Sequence, residues 1–170
     1  MGTYYGYGSR KELADEVTAG FENDFQKVTC LKRYFSGNNL WVVFERQSKA
    51  ASTDRERWIT VFLIRRAGSD WGYKPVDENM GPCEHSCPLS FLDMVNPPER
   101  PEGYHDWRAE VRKYHARRNQ KLELNQVVTL TNGVQYRITH KSAKLMGVSL
   151  KDGVLYRIPR NMLTLPEVQS

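Results

Sequence analysis

An amphipathic pattern near the start of the chain predicts the first helix. Leu13, Val17 and Phe21 recur every four residues, which places them on one face of a helix over residues 10–20. Ser9 precedes this stretch, and its hydroxyl can accept a hydrogen bond from a backbone amide of the first turn, as a helix N-cap does. The helix therefore has an apolar face that must pack against another element.

Three runs rich in β-branched and aromatic residues follow and predict an antiparallel sheet. Residues 27–35 and 40–46 are joined by the turn-forming residues 36–39, an arrangement typical of a hairpin. Residues 57–66 are apolar at almost every position between their charged ends. We therefore expect that strand in the middle of the sheet, with both of its faces covered.

Residues 67–87 show no clear period and predict a structured loop that carries large aromatic side chains. Long irregular loops in compact domains are uncommon unless they are functional, so we expect a ligand or partner surface here. Its candidate residues are Trp71, Tyr73, Lys74, Glu78, His85 and Cys87. A short helix is predicted to begin at Pro88 and to end before residues 96–98, where two prolines stop it.

A Pro-rich segment divides the chain. Residues 97–104 predict a linker that follows an α+β domain at residues 1–96. A basic helix is predicted beyond it, over residues 105–120. The narrow apolar stripe of this helix consists of Trp107, Val111 and Tyr114.

Two similar segments near the C-terminus predict a pair of hairpins. Residues 132–138 and 152–158 share the pattern Asn/Asp-Gly-Val-x-Tyr-Arg-Ile, and Asn-Gly and Asp-Gly both favour type I′ turns. Alternation along the second strand of each hairpin places Tyr and Ile on one face, and Arg137 and Arg157 on the other. Residues 121–170 are therefore predicted to form a small SH3-like β module, which completes an α+β protein.

Charge is distributed unevenly along the sequence. Residues 1–106 hold 13 Lys and Arg and 16 Asp and Glu, a net charge of −3, whereas residues 107–170 hold 12 and 4, a net charge of +8. Clustered cations attract anions, so the basic part predicts a face for phosphates or for an acidic partner, the alternative being a solvated basic helix. The candidate nucleic-acid-binding residues are Arg108, Arg112, Lys113, Arg117, Arg118, Lys121, Arg137, Arg157 and Arg160, beside Lys141, Lys144 and Lys151.

The cysteines indicate neither a disulfide framework nor a complete metal site. Cys83 and Cys87 flank His85 with the spacing of half a zinc site, but no second ligand pair with regular spacing follows, so no metal or other cofactor is expected. Cys30 brings the cysteine count to three, which is typical of a reducing compartment. Cys87 directly precedes a predicted helix start, where the helix dipole favours a thiolate, and it is the one candidate catalytic residue. The alternative is a packed or capping thiol, because free cysteines are often buried.

The sequence predicts no membrane segment. It contains no run of about 18 consecutive apolar residues, the length that a spanning helix needs. The first eight residues, MGTYYGYG, lack the basic and apolar regions of a secretory signal. We therefore expect a cytoplasmic protein without membrane contact.

Residues 1–95 resemble the pattern of an uncharacterised family of small proteins from bacteria, their phages and plasmids. The resemblance rests on Thr29-Cys30, Leu40-Trp41, Glu45, Arg57-Trp58-Ile59, Trp71-Gly72-Tyr73-Lys74, Glu78, Cys87-Pro88-Leu89 and Leu92. It implies no reaction, cofactor or catalytic residue. It does imply a bacterial or mobile-element origin, a setting in which nucleic-acid handling and interference with host defence are common tasks.

Three functions remain open from the sequence. The first is a non-enzymatic protein that binds DNA or RNA through the basic C-terminal face. The second is an anti-defence protein that binds a host protein or a nucleotide ligand through the aromatic segment 71–87. The third is a thiol-dependent enzyme centred on Cys87. The sequence favours them in that order and leaves the oligomeric state open.

Overall fold

The chain is mostly β. A computed structural model describes residues 3–50, 55–78, 81–95 and 101–165. Helices account for 22% of it, and its strands form a curled six-stranded antiparallel sheet and a separate four-stranded sheet. The predicted α+β class, in which a basic helix leads to an SH3-like module, is therefore wrong.

The chain folds as two compact units, Met1–Val111 and Arg112–Ser170. The sheet of the first unit has the strand order β1-β6-β5-β4-β3-β2. Its strands are β1 Tyr4–Tyr7, β2 Phe21–Glu22, β3 Gln26–Ser36, β4 Asn39–Ser48, β5 Arg55–Ala67 and β6 Asp70–Asp77. The α-helices of the described chain are α1 Arg10–Val17, α2 Leu89–Leu92 and α3 Glu102–Arg118.

Both faces of the large sheet are covered by apolar side chains. Successive residues of a strand point to opposite faces. Leu40 of β4 therefore packs with Leu13 of α1 on one face, and Trp41 stacks on Trp107 of α3 on the other, with ring centroids 6.0 Å apart. The prediction that residues 57–66 form a central strand buried on both sides is confirmed, since β5 lies third in the sheet.

Helix α1 is shorter than predicted. Ser9 caps it as expected, because its hydroxyl accepts the amide of Glu12 at 3.0 Å. The helix ends at Val17, and Gly20 then takes a φ of +71°, a conformation that other residues rarely adopt. Phe21, predicted on the apolar face of the helix, instead begins β2 and is half exposed.

The expected irregular loop over residues 67–87 is wrong for its first half, since residues 70–77 form strand β6. Gly72 and Pro75 interrupt the β-branched and aromatic pattern by which a strand is recognised in the sequence. Gly72 is required where β1 pairs with β6, because a Cβ there would collide with the backbone of Tyr4. Pro75 is tolerated because the described residues of β1 pair with residues 71–73 and not with the proline, which within the described chain leaves β6 as an edge strand there.

The segment after β6 is fixed by two tryptophan side chains. The indole of Trp41 donates to the hydroxyl of Ser86 at 3.3 Å, and that of Trp107 donates to the carbonyl of Glu84 at 2.8 Å. Gly81 starts this segment with a φ of +73° and lies directly against α3. The segment is therefore built into the core, and it leads into α2, which ends earlier than predicted.

We expect Gly81→Ala to lower the free energy of unfolding by about 2–4 kcal/mol, and Gly68→Ala by only about 1 kcal/mol. Both glycines have a left-handed φ, so both variants carry the same backbone strain. Only at Gly81 would the new Cβ lie 2.5 Å from the carbonyl oxygen of Gly103 and 2.7 Å from the Cβ of Trp107. Urea unfolding of the two variants measures the difference, and equal midpoints would contradict the tight approach to α3.

Helix α3 begins at Glu102, inside the predicted linker 97–104, of which residues 97–100 lie outside the described residues. It is not a separate basic helix, because its first half is a core element of the first unit. Its buried residues follow the helical spacing i, i+3, i+4 and i+7, and they are Tyr104, Trp107, Arg108 and Val111. None of the described helices is long and apolar enough to cross a membrane.

The second unit contains the two predicted hairpins. Its strands are β7 Val127–Thr129, β8 Gln135–Lys141, β9 Leu145–Ser149 and β10 Leu155–Arg157, in the order β10-β9-β8-β7. Gly133 and Gly153 take a positive φ, but Asn132 and Asp152 do not. The predicted type I′ turns are therefore wrong, because that turn needs a positive φ at both central residues. The sheet ends at β7 and β10, with one bridge between Leu130 and Leu163, so the described strands do not close as an SH3-like module would.

The core of the second unit lies on one face of its sheet. Its buried residues are Leu122, Val128, Leu130, Ile138, Leu145, Ile158 and Leu163. Ile138 pairs with Gly147, whereas Arg137 pairs with Val148 and Arg157 with Met146. The two arginines therefore share the opposite face, which confirms the alternation read from the sequence.

Candidate functional site

A cleft of about 610 Å³ lies in the surface of the second unit. Four cationic side chains line it, together with one tyrosine and several apolar residues. The polar members that matter are Arg118, Lys144, Arg157, Arg160 and Tyr114. None of the described residues that line the cleft is acidic, so its electrostatic potential is favourable to an anion.

The four cations come from four different segments. Arg118 is the last residue of α3, and Lys144 lies in the turn before β9. Arg157 ends β10, and Arg160 opens a 3-10 helix, Arg160–Met162, two residues after the buried Ile158. The ends of these elements meet around one volume, which sequence spacing alone does not reveal.

Two of the three guanidinium groups are held in place by the protein. Arg118 donates from Nη1 to the hydroxyl oxygen of Tyr114 at 2.9 Å, and its Cζ lies 5.4 Å from the centre of the Tyr114 ring. Arg160 donates from Nη1 to the carbonyls of Gln120 at 3.2 Å and of Arg118 at 3.4 Å. These contacts satisfy carbonyls at the end of α3 and fix two sets of N–H donors beside the cleft.

The remaining candidates of the basic set do not line the cleft. Arg137 lies on the same sheet face as Arg157, because their pairing partners on β9, Val148 and Met146, are two residues apart. Arg112, Lys113 and Lys121 are exposed, and Arg117 is half-buried. The structure therefore brings together only part of the predicted basic face, namely Arg118, Lys144, Arg157 and Arg160.

Arg108 was predicted to contact nucleic acid, and the structure corrects this because the side chain is buried. Its guanidinium donates to the carbonyls of Leu92 at 2.5 Å and Val95 at 2.6 Å, and to the hydroxyl of Tyr104 at 2.6 Å. The Arg108 guanidinium therefore makes these hydrogen bonds inside the core of the first unit. The spacing of Tyr104 and Arg108, four residues apart on one helix, was the signal in the sequence for this contact.

Glu78 was predicted on a ligand surface and is instead buried, with 1% of its surface exposed. Its Oε1 accepts the amide of Ile59 at 2.9 Å, one residue beyond Thr60 and Asp77, the last described pair between β5 and β6. Burial first, and then the charge of Glu78, raise the pKa of Tyr104 to about 12. Glu78 is therefore part of a buried polar cluster with Tyr104 and Arg108.

Cys87, the candidate nucleophile, has no exposed surface. Burial raises the pKa of its thiol far above the usual range, and the negative charge of Glu78 adds to the effect. Helix α2 has only four residues, so its dipole is too small to offset this burial. Cys87 is therefore a thiol packed in the core, which agrees with the packed alternative and removes the exposure that a catalytic thiolate needs.

The predicted aromatic surface does not form, because its members lie on opposite faces of the large sheet. Trp71 and Tyr73 pack on the face that α1 covers, and the Tyr73 ring lies 5.4 Å from that of Phe62. Cys87 belongs to the core on the other face. Lys74 and His85 are half-buried, Lys74 next to Tyr73 on β6 and His85 in the segment before α2.

No group of three or more His, Cys, Asp or Glu side chains in the described chain is placed to hold a metal ion. The three cysteines, all within the described chain, form no disulfide; Cys83 is exposed, Cys30 half-buried and Cys87 buried. Cys83 and Cys87 therefore differ in environment, although their spacing suggested a shared ligand role.

No protein-family model, curated protein or solved structure matches the chain. The resemblance to bacterial, phage and plasmid proteins stays a prediction from the sequence. The functional argument therefore rests on the geometry of the cleft and on the charge around it.

Proposed function

We propose that the protein is a non-enzymatic nucleic-acid-binding protein that contacts phosphates through the basic cleft of its second unit. The observation that carries the proposal is the convergence of Arg118, Lys144, Arg157 and Arg160 on one cleft without an acidic neighbour in its described lining. Hydrogen bonds from guanidinium groups to phosphate are charge-assisted and about twice as strong as neutral ones. Nucleic acid is the polymer that presents such phosphates in series.

The charge around the cleft supports the same partner. Residues 112–170 hold 11 Lys and Arg against 3 Asp and Glu. A net positive unit attracts a polyanion over the distance of a Debye length, about 8 Å at physiological ionic strength, before any contact forms. We further propose a bacterial or mobile-element cytoplasm as the setting, for which the family resemblance is the support.

The anti-defence alternative, in which segment 71–87 binds a host protein or a nucleotide, has less support than the basic cleft. Trp71 and Tyr73 pack on one face of the sheet and Cys87 lies in the core on the other, so the segment presents no single surface that holds all three. The thiol-enzyme alternative loses its basis with the burial of Cys87. We therefore put forward neither of them.

The test measures how binding depends on salt. We expect the parent to bind mixed-sequence single-stranded DNA or RNA at about 50 mM salt, and log Kd to rise with log salt with a slope of about 3 for four contacts. The double variant Lys144→Gln/Arg157→Gln should reduce that slope by about 1.5. Fluorescence anisotropy of a labelled oligonucleotide, titrated between about 50 and 200 mM salt, gives both slopes.

A matched control separates the cleft from net charge. Lys121→Gln/Lys151→Gln removes the same two charges from the same unit, at exposed residues that do not line the cleft. It should change the slope much less than the cleft variant. Equal slopes in the two double variants would refute the cleft as the site, and no binding at about 50 mM salt would refute nucleic-acid binding itself.

A further inference from the structure

We propose that a single strand of nucleic acid continues from the basic cleft across the outward face of the four-stranded sheet, where its unstacked bases pack on apolar side chains. This inference rests on the proposed function, and it names the ligand class and a second surface that holds the ligand. We call that surface the open sheet face. It is formed by outward residues of β7 to β10, namely Val127, Arg137, Met146, Val148, Leu155 and Arg157.

The open sheet face is accessible to solvent even at the middle of the sheet. Along β9, the core-facing Leu145, Gly147 and Ser149 are buried, whereas the outward Met146 and Val148 are only half-buried. At the two edges of the same face, Val127 is 43% exposed and Leu155 is 50% exposed. Apolar surface is therefore available to a ligand from one edge of the sheet to the other.

Cations and apolar side chains are interspersed on the open sheet face. Arg137 lies between Val127 and Val148 in one cross-strand row, and Arg157 pairs with Met146 in the next row. The four strands contain no Asp or Glu. A single strand offers both phosphates and unstacked bases to such a surface, whereas a duplex keeps the faces of its bases stacked inside. The face therefore complements a single strand better than a duplex.

Arg157 connects the open sheet face to the cleft, because it lines the cleft and also lies in the outward row of β10. Strand β9 separates β10 from β8. With strands about 4.8 Å apart and a rise of about 3.3 Å per residue, the Cα atoms of Arg157 and Arg137 are about 12 Å apart. The two guanidinium groups can therefore contact different phosphates of one strand, so a strand held in the cleft can continue onto the face.

The first experiment compares a short strand of about 4 nucleotides with a longer strand of about 12 nucleotides. The slope of about 3 expected for the cleft counts its four cations, and the contact of the longer strand with Arg137 should raise it by about 0.7. Arg137→Gln should remove this increase and leave the slope of the short strand unchanged. Arg112→Gln is the matched control, since Arg112 is an exposed arginine of the same unit outside both surfaces, and it should keep the increase.

The second experiment tests the contact with the bases. Leu155→Ser should raise Kd for the longer strand about fivefold, because the exposed half of the leucine can no longer be buried under a base. Its salt slope should stay the same, and so should its affinity for a duplex of the same sequence. Leu124→Ser is the matched control, since Leu124 is 52% exposed and lies in the same unit before β7, and it should not change Kd.

The outcomes separate this inference from the proposed function. If Arg137→Gln and Leu155→Ser bind the longer strand as their controls do, the inference is overturned, and a reduced slope in Lys144→Gln/Arg157→Gln leaves the proposed function standing. An equal effect of Leu155→Ser on the duplex and on the single strand also overturns it. So does poly-glutamate that competes as well as the longer strand, since the face then takes an acidic polypeptide. If no nucleic acid binds at about 50 mM salt, both proposals fail together.

Discussion

Replacement of Arg108 by methionine is expected to lower the free energy of unfolding of the first unit by about 3–5 kcal/mol. The guanidinium is buried and donates to three acceptors, the carbonyls of Leu92 and Val95 and the hydroxyl of Tyr104. Methionine has a similar length and no donor, so all three acceptors would lose a charge-assisted hydrogen bond inside the core. Glu78 would in addition lose the positive charge that lies in its buried cluster.

Tryptophan fluorescence during urea unfolding measures this effect in the first unit alone. The four tryptophans are Trp41, Trp58, Trp71 and Trp107, and all of them precede residue 112. Arg112→Met, one turn further along α3 at an exposed position, is the control and should change stability by less than about 1 kcal/mol. Arg108→Lys keeps the positive charge but lacks the planar guanidinium, so its loss of stability should lie between those of Arg108→Met and Arg112→Met. A value for Arg108→Met within 1 kcal/mol of the parent would contradict the buried-cluster interpretation.

The features that sequence predicted correctly depend on residues close together in the chain. The hairpin turns at Gly37, Gly133 and Gly153 follow from the need for a positive φ at one position. The cap at Ser9 and the outward direction of Arg157 likewise follow from local spacing. A few neighbouring residues carry enough information for each of these features.

The failures depend on partners that are distant in sequence. Gly72 interrupts the pattern of β6, and its reason is the approach of β1, nearly seventy positions earlier. The sequence predicts Arg108 on the surface, because charged side chains are rarely buried. Its burial is explained by the carbonyls of Leu92 and Val95, which accept its hydrogen bonds. The α+β expectation failed for the same reason, since it missed β6 and took α3 to be a helix outside the core.

The sequence predicts that the candidate site is positively charged, but it does not predict which residues meet there. The excess of cations after residue 106 is visible in the sequence, and so is the alternation that exposes Arg157. The meeting of Arg118, Lys144 and Arg160 at one cleft depends on how the end of α3 lies beside β10 and the 3-10 helix. That arrangement follows from packing of the second core, which no local pattern encodes.

The three cysteines are expected to react with iodoacetamide in the order Cys83, Cys30, Cys87, with Cys87 at least about a thousandfold slower than Cys83. Cys83 is exposed, whereas burial raises the pKa of Cys30, and burial together with the charge of Glu78 raises that of Cys87. Alkylation needs a thiolate that the reagent can reach, so Cys87 reacts only when the structure around it opens. Opening costs about 5 kcal/mol or more, the free energy of unfolding of a typical protein, and this cost sets the thousandfold difference in labelling rate. Peptide mapping of the labelled protein gives the three rates.

A change of pH and of folding state completes this test. Because burial raises the pKa of Cys87 far above its usual range in the folded protein, an increase from about pH 7.5 to about pH 9 should leave Cys87 protected. In about 6 M guanidinium chloride the three rates should converge within a few-fold, since the unfolded thiols share an ordinary pKa near 8.5. Cys83→Ser should remove the fast phase and nothing else. Rapid labelling of Cys87 in the folded protein would restore the thiol-dependent enzyme as a candidate and would contradict the buried, neutral thiol described above.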